Sequence, residues 1–422
     1  MEKYLSRIAD QLLADALEAK GAVLIEGPKW CGKTSTALQR AKSVLYMQDP
    51  AKKQMNIRYA TTEPSILLEG LVPRLIDEWQ IAPQLWDAVR HEVDMRDQFS
   101  QFILTGSTVP ADTGMMTHSG IGRIARLTMR PMTLFESLDS TGEVSLKALF
   151  AGQEEVATMN SKNLRQLAFL VCRGGWPKAI GQPEKIALRQ SFDYFDGIIS
   201  SDISMVDGIK RNPQRVERLM KSYARNTATQ AKVPQIRKDM IANDLDSLDE
   251  ITISSYIQAL KQMFVIDDLP AWNPNLRSKA AIRTSDTRHF VDPSIAVAAL
   301  GIGPEDLIGD LKTFGFFFES MCVRDLRVYA EALGGKLYHY RDQTGLECDA
   351  VIHLRNGAWA PVEIKLGIDE IDSAAKNLLE LEKRIDPSKM KSPSFMLILT
   401  GTSYAYRRED GIFVVPIGVL KH

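Results

Sequence analysis

Cysteine is scarce in this chain. Four stand in 422 residues, Cys31, Cys172, Cys322 and Cys348, far apart and with no C-x-x-C pair. That spacing indicates neither a disulfide framework nor a zinc site, and it fits a reducing, cytoplasmic setting. Long apolar runs are also missing. The longest, such as "FMLIL" at 395–399, are strand-sized and far short of the ~18 residues that span a bilayer. The first residues, "MEKYLSRIADQLLADALEAKG", read as a charged amphipathic helix rather than a secretory signal. Excess charge of one sign is absent as well: the net charge is −1. Attraction to nucleic acid would then have to come from a local basic patch, because the whole molecule supplies none. No internal repeat and no low-complexity linker appears. Hydrophobic content of 45% and charged content of 25% are ordinary, and the length suggests two to four domains, each able to bury a core.

Against this background "AVLIEGPKWCGKTS" (22–35) carries specific chemistry. It reads as an apolar strand, a glycine loop and a helix start, and it fits G-x-x-x-x-G-K-[ST] at Gly27, Gly32, Lys33 and Thr34. Glycines let a backbone fold around phosphate oxygens with its N–H groups turned inward. Lys33 is expected to reach the terminal phosphates, and the Thr34 hydroxyl to hold Mg²⁺. Pro28, Lys29, Cys31 and Ser35 complete the nucleotide-contacting stretch, with Cys31 a small space-filler rather than a redox sensor. "PRLIDEWQ" (73–80) supplies what hydrolysis needs. Asp77 ends a short strand and would hold the magnesium ion, and Glu78 would polarise the attacking water. Taken alone, the pair would read as an acidic loop after a strand.

"QFILTGST" (101–108) is a further strand with a polar tip, Thr105, Ser107 and Thr108, suited to sensing the terminal phosphate or simply to making a turn. "GIGRIARLTMRPMTLFES" (120–137) offers Arg123, Arg126 and Arg130. Arg123, after a glycine-containing turn, is the choice for an arginine finger reaching the nucleotide of an adjacent subunit. A surface ion-pair arginine is the plain alternative. A finger in trans predicts a homo-oligomer, with a hexameric ring the expected form.

The ordered set "GPKWCGKTS…LIDEWQ…ILTGST…GRIARLTMRPMTLFE" resembles the AAA+ ATPases that carry a DUF4143 C-terminal region, and "RGGWPKAI" (173–180) and "YFDGIISSDI" (194–203) resemble further landmarks of that family. The likeness runs along nearly the whole chain. It implies ATP and Mg²⁺ as cofactors. Lys29 and Trp30 stand where the family usually has Arg-Gln, and a lysine keeps the charge but loses the forked donor.

Residues 138–225 read as helical, with apolar periodicity in "NLRQLAFLV" and "RVERLMKSYA". The stretch 229–272 then gives a short helix "VPQIRKDM", a turn, and "TISSYIQALKQMF", which sets Ile253, Ile257, Leu260 and Phe264 on one face with Thr252 as N-cap. "VIDDLPAW" follows as a strand. Two helices and a wing in that order suggest a winged helix. Its second helix would expose Ser254, Ser255, Gln258, Lys261 and Gln262, with Arg277, Lys279, Arg283 and Arg288 near enough to touch phosphates. The same module could instead pack between domains and read nothing.

Near the end of the chain stands "PVEIKLG" (361–367). Alternation in a strand puts Glu363 and Lys365 on one face. A solvated strand edge would explain that pattern. Asp349 on the preceding strand and Glu319 on a helix behind an aromatic run point elsewhere. With D-x₁₃-E-x-K spacing, the four form the PD-(D/E)XK nuclease pattern. Asp349 and Glu363 would share Mg²⁺ through oxygen ligands, and Lys365 would support charge developing in the reaction. The resulting expectation is an α/β protein of three modules. These are a P-loop AAA+ ATPase domain (1–140), a helical lid and winged-helix region (141–300), and an α/β PD-(D/E)XK nuclease-like domain (301–422). The expected activity is ATP-driven work on DNA, with branched or repair-intermediate DNA the leading substrate. The alternative is a nucleotide-controlled signalling or stress switch with an inert C-terminal site.

Overall fold

The computed structural model describes residues 4–108, 119–203, 209, 211–241, 249–274, 285–388 and 390–422. The chain divides into two compact units: Met1–Pro131 with Ser200–Arg211 and Gln258–Val265, and Met132–Ile199 with Asn212–Ile257 and Ile266–His422.

The first unit is a three-layer sandwich. In chain order it contains α1 (Ile8–Ala19), β1 (Ala22–Glu26), α2 (Lys33–Leu38), β2 (Ser43–Tyr46), α3 (Lys53–Thr62), α4 (Ser65–Leu68), β3 (Arg74–Asp77), α5 (Leu85–Arg96), β4 (Phe102–Gly106) and β5 (Ile124–Thr128). The strands are all parallel in the order β2-β3-β4-β1-β5. Parallel sheets are covered on both faces, so their strands are apolar throughout. β1 shows how this works. Ala22 and Leu24 join a cluster with Trp79, Trp86 and Val89, while Val23 and Ile25 join Leu13, Leu17 and Ala37 on the other face. The α1 pattern Ile8, Ala9, Leu13, Leu17 makes one buried stripe. The helix after the glycine loop is shorter than "TSTALQRAKS" suggested and ends at Leu38.

The second unit is built on a seven-stranded mixed sheet. It comprises β6 (Val144–Ser145), α6 (Leu146–Phe150), β7 (Thr158–Met159), α7 (Leu164–Arg173), α8 (Glu184–Gly197), α9 (Pro213–Arg225), α10 (Val233–Ile241), α11 (Glu250–Gln262), α12 (Pro293–Leu300), α13 (Pro304–Gly309), α14 (Leu311–Ala332), β8 (Gly335–Arg341), β9 (Glu347–Leu354), β10 (Trp359–Lys365), α15 (Ile371–Arg384), β11 (Leu397–Thr400), β12 (Tyr404–Arg407), β13 (Phe413–Pro416) and β14 (Leu420–Lys421). One element, α11, runs across the division, since its last turn falls within the first unit. The sheet order is β7-β12-β13-β11-β10-β9-β8. α14 packs on β8, β9 and β10, and α15 lays Ile371, Ala374 and Leu378 against Val351, Ile398 and Val414.

Several sequence expectations need correcting here. Residues 138–225 are not uniformly helical: β7 pairs with β12, and β6 pairs with β14, so this stretch completes sheets formed by the end of the chain. α11 is capped by Asp249, whose carboxylate accepts the Thr252 N–H at 2.7 Å, and not by Thr252. "VIDDLPAW" forms isolated bridges, Ile266 to Phe290 and Leu269 to Thr287, in place of a regular strand.

The "RGGW" segment occupies a charged node in the interior of the second unit. Asp292 accepts from Gly175 N at 2.9 Å, and a side chain at Gly175 would collide with the Met132 carbonyl, 2.1 Å from an added Cβ. Arg324 bonds Asp292 at 2.8 Å and Asp325 at 2.7 Å, with all three side chains at most 1% exposed. Asp325 in turn accepts from Leu134 N at 2.9 Å. Burial pushes the Asp325 carboxyl up to about 6, with Arg324 acting against that rise.

Candidate active site

The adjacency β3-β4-β1 brings three strand ends together. Asp77 on β3 and Ile25 on β1 both sit opposite Thr105 on β4, so the glycine loop and the acidic pair flank the tip of β4. Thr34 Oγ1 donates to Asp77 Oδ1 at 2.6 Å, and Thr105 Oγ1 donates to the same oxygen at 2.7 Å. Asp77 is 3% exposed. A hydroxyl and a carboxylate meeting at one point are hard oxygen donors of the kind Mg²⁺ takes.

Glu78 follows in the left-handed region, with φ 57°. A non-glycine residue there is uncommon and is held by its surroundings. Its N–H donates to Thr105 Oγ1 at 3.3 Å. Its carboxylate accepts from Ser107 Oγ at 3.1 Å and from Gln80 Nε2. Thr105 and Ser107 therefore position the two acids. Gln80 has no role in the sequence reading, although it lies two residues beyond Glu78 in the same motif.

The loop wraps its own lysine. Lys33 Nζ donates to Gly27 O at 2.9 Å and Pro28 O at 2.7 Å. Gly27 has φ 152°, and an added Cβ would lie 2.0 Å from the Met129 carbonyl, so only glycine fits. Gly32 is left-handed, with φ 100°. Cys31 is fully buried and its thiol donates to Met129 O at 3.6 Å, as a space-filler would. Lys29 is half-buried, and Ser35 is exposed at the start of α2.

Arg123 lies elsewhere. It precedes β5, beside the first residue of β1, whereas the glycine loop follows the last. A five-residue strand, roughly 17 Å long, separates the two. Its guanidinium bonds Asp94 at 2.7 Å and is half-exposed. From this position it would serve another copy's nucleotide and not its own. Arg126 bonds Glu26 at 3.0 Å.

In the second unit Asp349 and Glu363 converge on Lys365, with Nζ 3.0 Å from Asp349 Oδ2 and 2.8 Å from Glu363 Oε2. Ile364 N also donates to Asp349 Oδ2, at 2.7 Å. β10 lies inside the sheet and Glu363 is 2% exposed, so the solvated-edge explanation of "PVEIKLG" fails. Burial, then the Asp349 charge, pushes the Glu363 carboxyl up to about 8. Burial works to lower Lys365, but the two carboxylates outweigh it and hold its ammonium above its ordinary range. Glu319 on α14 is also pushed well up, by desolvation first and the Asp349 charge second. Among the described residues no three His, Cys, Asp or Glu side chains form a metal-holding group.

Around the middle helices, Ser254, Ser255 and Gln258 are exposed, and Lys261 and Gln262 are half-buried. Arg288 is not available to phosphates. It bonds Asp268 at 2.8 Å and Ala231 O at 2.9 Å and lies against the Tyr223 ring, with its side chain 12% exposed. Arg277, Lys279 and Arg283 lie outside the described residues.

Comparison with known proteins agrees with the first unit's architecture. Residues 19–138 match the AAA domain family, 164–306 a domain of unknown function, DUF8612, and 314–420 another, DUF4143. An uncharacterized protein of Mycobacterium tuberculosis is 22% identical over 355 residues, covering 82% of this chain and 71% of the relative. A Walker-type ATPase of Pyrococcus abyssi is similar at 16% identity, covering 71% of this chain and 96% of that one, with a TM-score of 0.43. AMPPCP-bound DnaA from Aquifex aeolicus is similar at 14% identity, covering 62% and 89%, with a TM-score of 0.24. The N-terminal region is a P-loop ATPase fold of the AAA type. The chain as a whole joins that AAA domain to a DUF4143 C-terminal region. Among the described residues no helix is long and apolar enough to cross a membrane.

Proposed function

We propose that the protein hydrolyses ATP and couples the hydrolysis to work on DNA. The observation that carries the reading is the meeting of Thr34, Asp77 and Thr105 at one oxygen, with Glu78 held beside them. Thr34 and Asp77 would hold Mg²⁺, which when bound neutralises phosphate charge and orients the terminal phosphate. Lys33 exchanges its two loop carbonyls for phosphate oxygens. Glu78 orients the attacking water, and Thr105 with Ser107 keeps Glu78 aimed. Phosphoryl transfer is mostly positioning and charge stabilisation, which this set supplies.

DNA enters the proposal through the modular division 1–140, 141–300 and 301–422. A helical, winged-helix-type centre and a nuclease-like end share one plausible substrate with the ATPase. α10, α11 and the bridges at 266–290 support such a centre. The buried set Asp349, Glu363 and Lys365, with Glu319 close enough to feel their charge, supports a PD-(D/E)XK-like end. Homo-oligomerisation follows if Arg123 works in another copy. The decisive measurement is ATP turnover of the purified protein with and without duplex, forked and four-way DNA at several salt concentrations. Stimulation that fades steeply with salt is expected, as phosphate contact requires. Turnover indifferent to every DNA would defeat the coupling.

A second reading, a nucleotide-controlled switch with an inert C-terminal site, is favoured by one observation: Lys365 already neutralises both carboxylates. Asp349→Asn separates the two readings. If the site cleaves with a divalent ion, this change should abolish metal-dependent cleavage and leave ATP turnover intact. Wild-type protein that cleaves none of these DNAs in Mg²⁺ or Mn²⁺ would favour the switch.

A further inference from the structure

The segment ahead of α1 is bonded to the glycine loop and the helix that follows it. Arg7, 6% exposed, donates from Nη1 to Cys31 O at 2.7 Å and from Nη2 to Arg130 O at 2.8 Å. Its own N–H donates to Asp10 Oδ2 at 2.8 Å. Tyr4 places its hydroxyl 2.6 Å from Asp10 Oδ1 and 2.9 Å from Thr36 Oγ1, on α2. One guanidinium thus ties the loop that follows β1 to the chain leaving β5. At the same junction Met129 N donates to Glu26 O at 2.7 Å.

We propose that Arg7 is a positioning residue for phosphate binding, acting through the Cys31–Gly32 peptide. The proposal rests on the nucleotide-binding reading given above. A trans peptide is planar, and its C=O and N–H point in opposite directions. Pinning the Cys31 oxygen to Arg7 therefore aims the Gly32 N–H away from Arg7, as a cradle of inward N–H groups requires. Gly32 is left-handed, so this peptide has a glycine's freedom to rotate unless something holds it. A forked guanidinium bridges two carbonyls at once, and a lysine ammonium is a single point donor without that planar reach. Arg7 has no contact with Asp77, Glu78 or Thr105 among the bonds that define the hydrolytic group, so its effect falls on binding and not on the chemical step.

The test compares wild type, Arg7→Lys and Arg7→Ala, using a fluorescent ADP for affinity, Mg·ATP for steady-state kinetics and calorimetry for folding. In Arg7→Ala the ADP affinity should fall and the KM for ATP rise, each by roughly tenfold or more, as expected for loss of charge-assisted hydrogen bonds. The kcat at saturation should stay within about twofold, and Arg7→Lys should fall between. A purely structural role would lower kcat with the folded fraction and leave KM unchanged, and that outcome would overturn the proposal. Should Arg7→Ala fail to fold, wild-type affinity and KM in folded Arg7→Lys would overturn it equally. Wild-type protein that binds neither nucleotide would remove the underlying reading, a result distinct from both.

Discussion

Glu78→Gln is expected to lower ATP turnover by about 10²–10⁴-fold, the usual worth of a positioned general base, while nucleotide still binds. The glutamine keeps the shape and can still face Ser107 and Gln80, and the Thr34–Asp77–Thr105 cluster is untouched. Only the charge that orients and polarises water is lost. The backbone makes the substitution clean, because Glu78 owes its left-handed conformation to its own N–H bond to Thr105, which glutamine preserves. Steady-state turnover and equilibrium nucleotide binding, measured on the same preparation, check the prediction. Equal turnover in both proteins would take Glu78 out of the mechanism, and lost binding would show that the residue builds the pocket instead.

Arg324→Ala should be the most damaging single change to the second unit, costing about 3–5 kcal/mol, because one cation serves two buried carboxylates. Asp292 and Asp325 would remain inside without it. The loss should also depend on pH. The Asp325 carboxyl is already raised to about 6 in the folded protein. A raised folded value means that the protonated form is the one folding favours, a contribution present at low pH and lost as pH rises through 6. Removing Arg324 drives the value further up. The variant's deficit should therefore be smaller at pH 5 than at pH 8. Urea unfolding at both pH values reads this directly. A deficit below about 1 kcal/mol, or one equal at the two pH values, would show that water or a neighbouring group replaces the guanidinium.

The two candidate sites were legible in the sequence to different depths. The glycine loop and the Asp77-Glu78 pair are local: a strand end, a turn and a helix start lie within a few residues, and each residue type is dictated by its own φ or its own ligand chemistry. Strand order decides the rest, and strand order is not written in any one segment. Because β4 inserts between β1 and β3, Thr105 meets Asp77, an acid 28 positions away. The same ordering puts Arg123 at the far end of the sheet from its own glycine loop. Arg288 shows the converse. Its charge invited a phosphate partner, but the fold brings Asp268 and Tyr223 against it.

By itself the sequence determined the nucleotide loop, the acidic pair after β3, the parallel character of the first sheet and the Asp349, Glu363, Lys365 register. These follow from apolar periodicity, glycine's access to positive φ and the two-residue repeat of strands, all short-range properties. Tertiary structure alone decided that residues 144–159 complete sheets formed by the last residues of the chain, that Lys365 sits on both carboxylates, and that Arg7 spans Cys31 and Arg130. Each of these is a long-range pairing of polar groups. Hydrogen-bonding capacity is carried by nearly every residue, so composition and spacing do not select the partner. Burial does, because a buried donor or acceptor without a partner costs free energy.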